Sequence, residues 1–197
     1  MTNSGDIFGK RSPSLATSMS ADPAYPLRDF YTASGLPLPK LEQLPGDQVP
    51  APYHDLLVHR KDMTPVLESL CKQTISLRVL SKRIDQRILY REVALISQED
   101  QRVAAFGAIR INLDQFDDEP KQLILACQHP LGSILQRYQM AHTSCPTAYF
   151  RLHADVAMKQ ALESRFEGWL YGRHNHLANP QQQPLAEVVE ILSPHSQ

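Results

Sequence analysis

Three runs of alternating apolar residues follow one another closely between residues 74 and 113, and they restrict the fold more than any other feature of the chain. They read TISLRVLSKRI, ILYREVALIS and VAAFGAIRINL, and the short polar segments DQR and QEDQR separate them. Apolar residues at every second position predict β-strands with one buried face. The short connections predict antiparallel hairpins, because parallel neighbours need a crossover of about a dozen residues.

The rest of the chain supplies helices and further strands. EPKQLILACQHPLGSILQRYQM predicts two short helices separated by Pro130 and Gly132, AMKQALESRFEGWL predicts another, and residues 53–71 predict one that starts at Asp62 or Thr64. TAYFRLHADV predicts a strand, and LYGRHNHLA and PLAEVVEIL predict a hairpin across NPQQQ. The prediction is an α+β domain with a single antiparallel sheet of five or six strands and helices against one face.

Residues 1–52 differ in composition from the remainder. Eight of the 15 prolines fall at or before Pro52, among many Ser, Gly and Asp residues. Such a stretch is poor material for regular structure, so we expect an extended or partly disordered arm ahead of a domain at 53–197. A plain linker and a docking arm for another protein are both open as roles for this arm.

Overall composition argues against several classes of partner. The formal net charge is −1, and the basic residues are scattered along the chain, so neither nucleic acid nor an anionic membrane is expected as a main partner. Three cysteines without a CxxC pair fit reduced thiols in a cytoplasm better than a disulfide framework. Because no run of 18 apolar residues and no apolar segment near the N-terminus occurs, we expect neither a membrane span nor a signal peptide.

Arg91 is the sharpest anomaly in the sequence. In ILYREVALI, one strand face carries Leu89, Arg91, Val93 and Leu95, so a guanidinium stands in an otherwise apolar row. An arginine in a half-buried strand keeps its proton and needs an anion, because an unpaired buried charge costs several kcal/mol or more. A structural ion pair and a bound ligand are both open as the source of that anion.

Two acids in PLAEVVEIL offer a possible second polar wall. Glu187 and Glu190 lie on opposite faces of this strand, each among apolar residues, so one of them is expected to be buried. If a buried Arg and a buried Glu line one cavity without saturating each other, the cavity offers a fork for a carboxylate and an acceptor for a hydroxyl. A small hydroxy-carboxylate is the ligand that such a pocket would take.

Other candidate chemistries have less support. His174 and His176 share a strand face, but no third ligand accompanies them at metal-like spacing, so no metal site and no cofactor are predicted. Cys127 and Cys145 lack a neighbouring basic cluster and a nucleophile motif. We therefore expect both to be small, buried apolar side chains. The sequence contains no GxSxG, P-loop or GxGxxG motif.

The order of these features resembles the chorismate lyase family, whose members convert chorismate to 4-hydroxybenzoate and pyruvate. The resemblance extends over residues 55–194 and depends on short motifs in family-like order. They are DMT at Asp62–Thr64, RE at Arg91 and Glu92, Gly107 in AFGAIRI, PLG at Pro130–Gly132, YGRHNHL, and EILSP from Glu190 to Pro194. A departure from the family is Ser133, where well-studied members have a basic residue.

The resemblance implies a site and a reaction. Arg91 would bind the ring carboxylate, Glu190 rather than Glu187 would hold the 4-hydroxyl, and the backbone at Met63 and Leu131 would close the pocket under helical flaps. The implied reaction needs no cofactor: the C4 proton and the enolpyruvyl group leave, and an aromatic ring forms. Chorismate and 4-hydroxybenzoate are then the expected partners, and a monomer is the expected state.

The same fold also suits a non-catalytic function. The resemblance also extends to the effector-binding domains of GntR-type transcription regulators, which would make this chain a sensor for a small aromatic hydroxy-carboxylate. A winged-helix DNA-binding domain ahead of the sensor would be the distinguishing feature. The Pro-rich arm shows no helical periodicity, which favours the enzyme at this stage.

Overall fold

The computed structural model describes residues 19–194 and folds them around one fully antiparallel sheet of seven strands. The strands are β1 (Glu42–Leu44), β2 (Ile75–Asp85), β3 (Ile88–Ser97), β4 (Val103–Asn112), β5 (Thr143–His153), β6 (Trp169–Ala178) and β7 (Pro184–Leu192). Their spatial order is β1-β5-β6-β7-β4-β3-β2. The predicted α+β class and the single antiparallel sheet are confirmed, with one short edge strand more than expected.

Within residues 19–194, six helices pack against this sheet. They are α1 (Leu27–Ala33), α2 (Tyr53–Leu57), α3 (Met63–Cys71), α4 (Asp118–Ala126), α5 (Leu131–Arg137) and α6 (Val156–Ala161), with 3₁₀ turns at Gly46–Gln48 and Leu113–Gln115. The Asp155 carboxylate caps α6 by accepting from the Met158 backbone N–H. The helix predicted up to residue 170 is much shorter in the structure. α6 ends at Ala161, and Trp169 and Leu170 belong to β6. No helix within residues 19–194 is long and apolar enough to cross a membrane.

Helices cover both faces of the sheet, whereas the sequence predicted helices against one face. Leu89 and Leu95 of β3 pack in clusters with residues of α2 to α5. The alternate residues Ala94 and Ile96 pack instead with side chains of α1 and α6. The sheet thus separates a face carrying α2 to α5 from an opposite face carrying α1 and α6, and the period-two alternation assigns each strand residue to one of them.

The expected N-terminal arm is wrong for a large part of its length. Leu27, Phe30 and Tyr31 have helical spacing and are buried in the core as one side of α1, and β1 pairs with β5. The prolines at the ends of these short elements, such as Pro26 before α1, allow regular structure between them. Residues 52 and 53 therefore do not separate an arm from a domain. Residues 1–18, also assigned to the arm, lie outside the described part.

Candidate ligand-binding cavity

A cavity lies between the sheet and the first turns of α3 and α5. Its walls are mainly apolar side chains of β3, β4, β6 and β7, with a few polar groups among them. About 80 Å³ is open to the centre of a water molecule. A single water needs about 10–15 Å³ by the same measure, so the cavity has room for a small organic molecule.

Arg91 forms one wall of this cavity. The residue is 1% exposed, and its Nε and Nη1 atoms have no hydrogen-bond partner within residues 19–194. No carboxylate of the described chain lies within ion-pair distance of it. Burial lowers the pKa of the guanidinium, and the neighbouring Cys127 thiol raises that pKa by a smaller amount. The sequence anomaly is thus a real one: a buried cation faces the cavity without an anion from the described chain.

Glu190 lies on the same face of the sheet, two strands away. β4 separates the two residues, with Ile109 opposite Arg91 and Gly107 opposite Glu190. With strands about 4.8 Å apart and about 3.4 Å per residue, the two Cα atoms are about 12 Å apart. That separation leaves space for a ligand between the two head groups. Glu187 points to the opposite face and does not line the cavity.

Glu190 has a protein partner that the sequence reasoning missed. The fully buried Arg173 of β6 donates from Nε to Glu190 Oε2 at 2.5 Å. Burial raises the pKa of Glu190, and the Arg173 charge partly offsets this rise. Glu190 is therefore paired with Arg173 and not with Arg91. Glu190 Oε1, however, makes no hydrogen bond within the described chain.

Arg173 also organises the segment that leads into α3. Its Nη atoms donate to the carbonyl oxygens of Leu57, His59 and Lys61 at 3.1–3.2 Å. The alternation that singled out Arg91 also places Arg173 on one face of β6, together with Tyr171, Asn175 and Leu177. Its partners were not predictable, because they come from a distant segment and another strand.

Met63 and Leu131 stand at the mouth of the cavity. They are the first residues of α3 and α5, and both side chains are buried. The two helix starts touch, since a Cβ atom on Gly132 would lie 3.2 Å from Thr64 Oγ1. The structure thus brings Arg91, Glu190, Met63 and Leu131 around one cavity, and their roles in binding stay predictions.

Two further polar groups, Asn175 and Asp62, lie at the cavity, and the sequence analysis assigned neither of them a binding role. The Asn175 Nδ2 atom donates to Ser144 Oγ at 2.9 Å, whereas its Oδ1 atom is buried without a partner within residues 19–194. Asp62 pairs with His142 at 2.9 Å and thereby joins the start of α3 to the segment before β5. The hydrogen bond that His142 Nε2–H donates to the Asp62 carboxylate raises the pKa of His142 against the opposing effect of burial.

The opposite face of the sheet carries a separate polar cluster. His174, His176 and Glu187 lie close enough for their ligand atoms to be within 4.8 Å of one another. Burial and the His176 ring lower the pKa of His174 to about 4. No third ligand accompanies the two histidines at metal-like spacing in the sequence, whereas the pairing of β6 with β7 places Glu187 opposite His176.

Solved structures share this architecture at low sequence identity. No protein-family model matches the chain, and no curated protein sequence matches it significantly. PhnF from Mycobacterium smegmatis superposes with a TM-score of 0.53 and 8% identity over 69% of this chain and 65% of that chain. The effector domain of PhnF, solved by itself, gives 0.53 and 8% over 68% of this chain and 88% of that domain. This chain and PhnF therefore share a fold.

The likeness to PhnF concerns architecture alone. It supports the chorismate-lyase-like α+β fold that the motif order implied. At 8% identity it contains no information about a reaction, so chorismate lyase activity gains no support from it. The region matched spans less than two thirds of the PhnF chain.

Proposed function

We propose that the cavity binds a small aromatic hydroxy-carboxylate and that the chain is a non-catalytic binding or sensor domain for it. The observation that carries this proposal is Arg91, a buried guanidinium that faces the cavity without a carboxylate from the described residues. A ligand carboxylate accepts two parallel hydrogen bonds from such a fork, and it compensates a charge that is otherwise buried alone.

The remainder of the cavity complements the rest of such a ligand. Leu77, Val93, Ile109 and Val188 provide apolar walls for an aromatic ring. Glu190 Oε1 and Asn175 Oδ1 are acceptors without a donor among residues 19–194, so a ligand hydroxyl has a partner at the far end. The shared fold with a domain described as an effector domain supports binding over catalysis.

Chorismate lyase activity is the second candidate. The observation that favours it is that Arg91, Glu190, Met63 and Leu131, to which the resemblance assigns binding roles, line a single cavity. In this reading Arg91 holds the ring carboxylate of chorismate, and Glu190 or the substrate's own side-chain carboxylate takes the C4 proton. The enolpyruvyl group leaves as pyruvate without any cofactor, because formation of the aromatic ring drives the reaction.

Calorimetric titration with 4-hydroxybenzoate tests the binding proposal. We expect binding by the wild type, a large loss for 4-hydroxybenzyl alcohol, which lacks the carboxylate, and a similar loss in Arg91→Gln. Arg110→Gln is the matched control, because Arg110 is also buried in the sheet but belongs to the opposite face. Unchanged affinity in folded Arg91→Gln, or no binding of aromatic carboxylates by the wild type, would refute the proposal.

Incubation with chorismate separates the two candidates. Formation of 4-hydroxybenzoate and pyruvate is followed by chromatography against the uncatalysed rate. We expect no acceleration by protein that binds 4-hydroxybenzoate. Acceleration that disappears in Arg91→Gln would establish the lyase and overturn the non-catalytic reading.

A further inference from the structure

The cluster on the opposite face of the sheet has the composition of a metal site. His174 and His176 occupy alternate positions of β6 and point to the same side, and Glu187 of β7 is the register partner of His176. His176 Nε2 lies 3.5 Å from Glu187 Oε1. The two imidazole rings are nearly perpendicular, with centroids 4.7 Å apart. Two nitrogen donors and one oxygen donor therefore converge from two adjacent strands.

The hydrogen bonds around His174 prepare its free nitrogen for a metal. His174 Nδ1 lies 2.7 Å from the Thr147 hydroxyl oxygen, which accepts from it in the Nδ1–H tautomer. In that tautomer Nε2 carries a lone pair, and Nε2 is buried without a hydrogen-bond partner within residues 19–194. Histidines that bind metals commonly anchor their other ring nitrogen in this way.

A cleft lies beside the cluster, and the neighbours of Glu187 partly compensate its negative charge. His176 keeps 18% of its side chain exposed, although its Nε2 atom is buried, and Met19, Ser20, Ala21 and Pro23 line the cleft beside the histidines. Glu187 is 1% exposed, its Oε1 accepts from the Ser20 backbone N–H, and Arg110 Nη1 is 3.9 Å from its Oε2. Each carboxylate oxygen can accept more than once, so these contacts leave room for a metal bond.

We propose that His174, His176 and Glu187 form a site for one divalent transition-metal ion of the zinc class, with the fourth coordination position open to the cleft. Two imidazoles and one carboxylate suit Zn²⁺, Co²⁺ and Ni²⁺, whereas Mg²⁺ and Ca²⁺ prefer oxygen donors alone. Arg110 is a buried cation next to this site and weakens it by repulsion. Its removal therefore strengthens metal binding, a result that a purely structural polar network would not produce.

Titration of the untagged, metal-free full chain with Zn²⁺ and Co²⁺ tests this site. Calorimetry gives the Zn²⁺ stoichiometry and affinity, and Co²⁺ absorption bands report the coordination. We expect one ion per chain, with binding weakened about tenfold or more in His176→Gln and Glu187→Gln. Thr147→Val, which only removes the anchor of His174, should weaken binding by about 10–100-fold. Arg110→Met should bind more tightly than the wild type.

Two controls make the outcome decisive. His129→Gln removes an exposed histidine elsewhere on the chain and should leave the affinity unchanged. Binding of 4-hydroxybenzoate in the cavity on the other face shows that each variant is folded, and circular dichroism replaces it if the wild type does not bind that acid. Equal Zn²⁺ affinity in the wild type, His176→Gln and Glu187→Gln would overturn the proposal. Absence of binding by the wild type would overturn it as well.

Discussion

Replacing Arg91 by methionine should stabilise the ligand-free protein while abolishing ligand binding. Methionine has a similar length and fills the space without a charge or unsatisfied donors. Exchange of a buried ion pair for apolar residues of similar volume is neutral or stabilises proteins by about 1–4 kcal/mol. Arg91 is 1% exposed and lacks a carboxylate partner in the described chain, so its exchange leaves no buried acid unpaired and we expect a gain within this range. For a domain of this size a gain of about 2 kcal/mol raises Tm by about 4–8 °C.

The ligand should reverse this order of stability. At a concentration of 100 times Kd, a ligand that binds only the folded state stabilises it by about 2.7 kcal/mol. We therefore expect 4-hydroxybenzoate to raise the Tm of the wild type and to leave that of Arg91→Met unchanged. Scanning calorimetry of both proteins with and without the acid measures the two effects in one experiment.

Arg173→Met provides the matched comparison. Arg173 is also a fully buried arginine, but it is paired with Glu190 and with three backbone carbonyl oxygens. Breaking a buried pair by removing one partner costs about 3–5 kcal/mol, so this variant should lose stability. If Arg91→Met loses stability in the same way and keeps the ligand-induced shift, Arg91 has a structural role and the reasoning is refuted.

Three further predictions concern the cavity and the sheet. Glu190→Gln should weaken binding of 4-hydroxybenzoate by about tenfold or more in calorimetric titrations and leave benzoate, which has no hydroxyl, nearly unaffected. Asp62 raises the pKa of His142, so the pair stabilises fully below the unfolded-state pKa of about 6.5, and this contribution disappears as pH rises through the higher folded-state pKa. Urea unfolding should therefore show a wild-type advantage over His142→Gln that shrinks with rising pH. Gly107→Ala should destabilise by about 3 kcal/mol or more in the same assay, because its Cβ would lie 2.0 Å from the Val189 carbonyl oxygen.

Two of these predictions have a control variant, and the prediction for His142→Gln has an outcome that would contradict it. Glu187→Gln changes the acid on the other face and should not affect binding of 4-hydroxybenzoate; an equal loss in both variants would contradict the assignment of the faces. A pH-independent difference for His142→Gln would show that the charged form does not contribute. Gly46→Ala should cost much less than Gly107→Ala, because its Cβ would meet only side-chain atoms, at 3.2 Å or more.

Alternation within single strands accounts for what sequence reasoning established about the sheet. The period-two rule needs only neighbouring residues, so it correctly placed Arg91 among apolar side chains on one face and Glu187 and Glu190 on opposite faces. Composition gave the wrong prediction for α1. Proline density suggested an extended arm, and the helical spacing of Leu27, Phe30 and Tyr31 was overlooked.

Local sequence therefore determined the antiparallel α+β class and the presence of a charge that required an anion. Only the tertiary structure decided which groups meet: Arg173 and not Arg91 pairs with Glu190, and Glu187 joins His174 and His176. The physical reason is that strand order and register depend on packing between segments far apart in the chain. A side chain's face follows from its own strand, whereas its partner follows from the assembled sheet.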